Sequence, residues 1–97
     1  MHVTNLEEYV ANMLDKLGID YEFQCATRTG FVIDFVLRDK MVAIEVDGYH
    51  WHSSKKAKKR DRFKDYQLKR EGWAVVRISE KEALNEDTLA QILYLLV

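Results

Sequence analysis

One cysteine, Cys25, stands in a chain of 97 residues. A disulfide within the chain and a thiolate zinc site each need more than one, so neither is available. Cys25 reads as a small strand residue, and a reducing setting, the cytoplasm, is the expected location. Glycine is also sparse. The four present are scattered at positions 18, 30, 48 and 72, which excludes a glycine-rich phosphate loop. No apolar run approaches the roughly 20 residues of a bilayer-crossing helix, so no membrane association is expected. The opening stretch MHVTNLEEYV lacks the basic-then-apolar layout of a signal peptide. With 47% hydrophobic residues, 32% charged residues and a net charge of −1, the chain is not a disordered polar segment. Its length suits one modestly stable core, and no linker or repeat interrupts it, so residues 1–97 read as a single domain.

The small net charge conceals an uneven distribution. Lys55, Lys56, Lys58, Lys59, Arg60, Arg62 and Lys64 fall within ten residues, with only Asp61 against them. Such a run is commonly a solvated helix face. It is also what a phosphate-binding strip requires. The acids and histidines just before it move the balance towards nucleic acid.

Hydrophobic periodicity divides the chain into alternating elements. Thr4 or Asn5 can cap a first helix reaching about Leu17, with Leu6, Val10, Met13, Leu14 and Leu17 at helical spacing and Gly18 as its stop. Tyr21–Cys25 reads as a strand and Thr27–Gly30 as a turn. Phe31–Leu37 and Met41–Val46 are strands joined by a short hairpin at Arg38–Lys40. Ser53 or Ser54 begins a second helix to about Glu71, whose apolar side is expected from Phe63, Tyr66, Gln67 and Leu68. Trp73–Ile78 is a further strand. Ser79 and Glu82 have capping-box spacing, and a last helix with Leu89, Ile92, Leu93 and Leu96 as its stripe runs to Val97. The order αβββαβα gives a mixed α/β sandwich.

Asp34, Glu45 and Asp47 lie in strands that otherwise read as buried. Carboxylates are rarely left in a core unless paired or coordinated. A short hairpin would bring Asp34 and Glu45 together, where they repel unless a cation or a proton intervenes. One explanation is a divalent ion such as Mg²⁺ on hard oxygen ligands. The other is ion pairing with Arg28, Arg38, Lys40 or Arg77, and spacing does not separate the two. Glu7 is the first-helix acid on the apolar side, although an acid there also complements the helix dipole. His50 and His52 follow the strand and share a side by alternation. With only His2 besides them, a zinc site is not expected. A histidine near a metal-bound phosphate can instead carry a proton, so the chemistry on offer is metal-assisted hydrolysis.

Taken together, a first-helix glutamate, Asp34-Phe35 in a strand and Glu45-Val46-Asp47-Gly48 resemble the PD-(D/E)xK nuclease superfamily. Gly48-Tyr49-His50-Trp51-His52 is similar to the glycine–aromatic–Trp-His element of very short patch repair endonucleases. Arg60-Asp61-Arg62, Leu68 and Gly72-Trp73-Ala74-Val75-Val76 follow that group's order, and the related EDxHD homing endonucleases share the plan. The resemblance runs from Glu7 to about Ile78 and implies a restriction-endonuclease-like core. It also implies a Mg²⁺-dependent DNA endonuclease, with Mn²⁺ able to substitute. Glu7, Asp34, Glu45, His52 and Asp61 match its catalytic positions. Asp34, Glu45 and the Val46 carbonyl match the metal ligands, His52 the general acid or base, and Asp61 its helper. His50, at a position aromatic in the repair enzymes, and Asp47 are secondary candidates. Two departures stand out: Asp47 replaces the superfamily lysine, and the residues that hold structural zinc in the repair enzymes are absent. The alternative implied by Asp47 is a catalytically inactive DNA-binding module on the same scaffold. Expected partners are DNA, with nucleoid association when bound, and a second copy or a separate recognition domain for long sites.

Overall fold

The computed structural model describes residues 5–48 and 54–97. Helix α1 (Asn5–Lys16) buries Val10, Met13 and Leu14, which its 3.6-residue period aligns on one side. Strands β1 (Glu22–Ala26), β2 (Val32–Leu37) and β3 (Val42–Asp47) form an antiparallel meander. The β2–β3 connection is a 3₁₀ turn at Arg38–Lys40, closed by Met41 in the left-handed region. Helix α2 (Lys55–Arg70) crosses to β4 (Ala74–Ser79), which pairs parallel to β3. The sheet order is β1-β2-β3-β4. Ser54 caps α2 by accepting from the Ala57 N–H at 3.0 Å, and Gly72 at φ +98° turns the chain back into β4. Among the described residues no helix is long and apolar enough to cross a membrane.

The expected αβββαβα order holds, with one correction. The last helix is two: α3 (Glu80–Ala83) and α4 (Glu86–Tyr94). The Ser79–Glu82 capping box starts the first of them. The Asn85 side chain then accepts from the Thr88 N–H at 3.0 Å and opens a new helix, so a second cap interrupts the single helical run.

The sheet is covered on both sides. Phe35, Leu37, Val42, Ile44 and Ile78 pack with Val10 and Leu14 of α1 and with Leu89 and Leu93 of α4. Val36 and Ala43 pack instead with Leu68 of α2 and with Trp73. Phe63 and Tyr66, expected on the apolar side of α2, are both 56% exposed. The helix buries Ala57 and Leu68, and the turns between them bring Asp61, Lys64 and Asp65 against the sheet. Charged groups thus occupy the middle of that interface.

Candidate active site under helix α2

The β2–β3 ladder runs from Leu37↔Val42 to Phe35↔Ile44. Beyond it, the Val46 N–H donates to Asp34 Oδ2 at 2.8 Å, so the Asp34 side chain takes the place of a backbone acceptor. That bond fixes Asp34 beside β3. Glu45, one residue before Val46, is the buried charged side chain among the described residues, at 4% exposure. The Asp34 carboxyl lies near enough to Glu45 to help push its pKa up. The juxtaposition expected of the hairpin is therefore present.

Glu45 meets a cation that approaches from the helix. Lys64 Nζ lies 2.5 Å from Glu45 Oε1 and donates to the Val32 carbonyl at 2.7 Å. The Oε1 contact is ionic; this buried oxygen has no well-aligned hydrogen bond. Burial pushes the Glu45 carboxyl up, Lys64 pulls it back, and Asp34 pushes it up again, leaving it at about 7. The two cations expected to compete for these acids and resolved in contacts are engaged elsewhere. Arg38 binds Glu22 through Nε at 2.5 Å, and Arg77 binds Asp47 and Asp65.

The Arg77 cluster adjoins this group. Arg77 is the register partner of Glu45 on the parallel neighbour strand. Its guanidinium donates to both Asp65 oxygens at 3.0 and 2.6 Å, to Asp47 Oδ1 at 2.8 Å and to the Asp61 carbonyl at 3.4 Å. Burial alone would lower its pKa, but Asp65 and then Asp47 outweigh it and hold the charge in place. Asp47 is thus held by an arginine. Asp61 is half-buried at the same cluster. Glu7 sits half-buried in the first turn of α1. His50 and His52 lie outside the described residues.

Two residues of this constellation escaped the sequence reading in their present role. By sequence Asp65 carries no distinguishing mark, and Lys64 belongs to the phosphate strip. The signal lies in helical spacing: positions 57, 61, 64 and 68 form one stripe, apolar at its ends and charged between. Lys55, Lys56, Lys58, Lys59, Arg60 and Arg62 are exposed, whereas Lys64 turns inward.

The donor set suits a hard divalent ion. Two adjoining carboxylates, one with a buried oxygen lacking a good hydrogen bond, match a cation that completes its shell with water and phosphate oxygens. Among the described residues no group of three or more His, Cys, Asp and Glu side chains is arranged to hold a metal.

Comparison with known proteins bears on this arrangement directly. The restriction-endonuclease-like family model REase_MTES_1575 matches residues 6–93. The chain belongs to that family. Both acids, the Arg77 cluster and the whole sheet fall within the matched span. Among solved structures, the homing endonuclease I-Bth0305I catalytic domain superposes with a TM-score of 0.81 at 30% identity. The match covers 97% of this chain and 94% of that one. No curated protein matches the chain. REase_MTES_1575 membership and this superposition agree with a PD-(D/E)xK-like nuclease fold.

Proposed function

We propose that the chain is a divalent-metal-dependent DNA endonuclease that hydrolyses phosphodiester bonds. The observation that carries this reading is the adjoining Asp34 and Glu45 carboxyls, Glu45 buried and Asp34 half-buried, in a fold of nuclease ancestry, with Lys64 at their edge. Asp34, Glu45 and the Val46 carbonyl would hold Mg²⁺, or Mn²⁺ in its place. When bound, the ion would polarise the phosphoryl oxygen and ease the loss of a proton from water.

The remaining work falls to side chains. Asp47 cannot offer a positive charge to the scissile phosphate. Lys64, arriving from α2 instead of from β3, is the cation able to do so, since its ammonium already reaches the carboxyl pair. His52 would move the proton between water and leaving oxygen. Asp61, anchored beside Arg77, and Glu7 on α1 would complete the constellation.

Supercoiled plasmid, Mg²⁺ or Mn²⁺ and three proteins test this. The wild type should nick or linearise the plasmid, and Asp34→Ala and His52→Ala should each lose at least about a hundredfold in rate. Equal rates for all three proteins would overturn it. The second reading, a DNA-binding module without catalysis, is favoured by one observation: Arg77 occupies Asp47. Salt-sensitive DNA binding without metal, and no cutting by concentrated wild type, would select it.

A further inference from the structure

Every exposed position of α2 is lysine, arginine, phenylalanine or tyrosine. Its two carboxylates, Asp61 and Asp65, are half-buried beside Arg77, so the solvent side of this helix carries no negative charge. Lys56, Lys59, Phe63, Tyr66 and Arg70 follow one another at helical spacing along one stripe. From end to end the stripe measures about 21 Å, at 1.5 Å per residue. Two rings stand in its middle with cations on either side.

The rings are positioned without being buried. Phe31 packs edge-on against Phe63, centroids 6.1 Å apart, and the Arg70 guanidinium lies 5.8 Å from the Tyr66 centroid. Both rings nevertheless stay 56% exposed. Lys64 lies on the same helix and bonds the Val32 carbonyl, next to Phe31, so the stripe borders the carboxyl pair.

We propose that this stripe is a stacking platform for unpaired bases, so that the chain binds single-stranded or locally opened DNA in preference to intact duplex. The proposal rests on the nuclease reading only for its assumption that DNA is the ligand. Cations alone would serve any polyanion. Aromatic faces between them add something that only a base with an exposed π-face can use. Intact duplex offers base edges in its grooves and hides the faces within the stack, so exposed rings gain nothing there. A protein partner would have to be strongly acidic along its whole length to match a surface without a single carboxylate.

Fluorescence anisotropy in EDTA tests this apart from cleavage, using labelled oligo-dT and a duplex of equal length. Wild type should prefer the single strand. Phe63→Leu and Tyr66→Leu should each weaken single-strand binding at least about fivefold and leave duplex binding within about twofold. Lys56→Gln with Lys59→Gln should weaken both. Because both rings are exposed, leucine leaves the core intact, and circular dichroism checks it. Duplex preference in the wild type, or ring variants that retain single-strand affinity, would overturn the proposal. So would self-association of the wild type that the ring variants abolish, which would assign the stripe to a second copy. Plasmid cleavage by the wild type with Mg²⁺, set beside these binding measurements, separates the two readings. Binding that survives without any plasmid cleavage by wild type sinks only the nuclease; cleavage with unaltered ring variants sinks only the platform.

Discussion

Glu45 is drawn out of water on a strand whose neighbour also carries a carboxylate, and both effects favour its protonated form. Its ordinary value is 4.5 and its folded value about 7, so the native state holds a proton that the unfolded chain has already released. Stability from this group is therefore fully present below about pH 4.5 and is lost as pH rises to about 7, on the order of 3 kcal/mol. Glu45→Gln should flatten the stability profile across that window and be the more stable protein at pH 8. Denaturant midpoints in EDTA measure this, and parallel profiles for the two proteins would refute it. Metal binding runs the other way. Because a ligand must shed its proton, Mn²⁺ affinity by calorimetry should climb up to about pH 7 and then level off.

At the scale of elements, α2 is tied to the sheet by charges as much as by apolar contact. Arg77 joins β4 to β3 through Asp47 and to α2 through Asp65 and the Asp61 carbonyl. Arg77→Ala would remove the cation that the half-buried Asp47 and Asp65 share. The expected loss is about 2–3 kcal/mol, below that of a fully buried pair because water still reaches the group. Arg77→Lys should recover only part, since an ammonium cannot repeat the two-pronged contact with Asp65. Thermal unfolding of both variants checks the order, and a wild-type midpoint for Arg77→Ala would contradict it. This interface also marks where the sequence stops being legible. The strands, the hairpin and the meeting of Asp34 with Glu45 follow from local periodicity and a short turn. The inner side of α2 does not. Phe63 and Tyr66 look like its apolar stripe, and only the placement of Ala57 and Leu68 against Val36, Ala43 and Trp73 reverses that. Lys64 and Asp65 gained their roles from the same long-range packing, which decides which of the helical stripes turns inward. The end of the chain erred differently: Asn85 is a cap of ordinary kind, hidden inside a run that otherwise reads as helix.

Across the whole molecule, a net charge of −1 would suggest indifference to DNA if charge were evenly spread. It is not. Nine of the 15 basic residues and two of the 16 acidic ones lie in α2, giving that helix +7 and leaving −8 on the rest. The molecule is a strong dipole in which one helix can approach phosphates while the other surfaces repel them. Exposed lysines and arginines release condensed counterions on contact, so affinity should fall steeply with salt. With five or six phosphates engaged, a plot of log K against log salt should have a slope of about −5 on duplex DNA. Lys55→Gln with Lys58→Gln should bring it about two units nearer zero, each charge accounting for one contact. Lys81→Gln, on α3, removes the same kind of charge from an exposed site outside α2 and should leave the slope alone. Equal effects from Lys81 and the α2 lysines would mean that overall charge, and not the polarity built into the fold, governs the encounter.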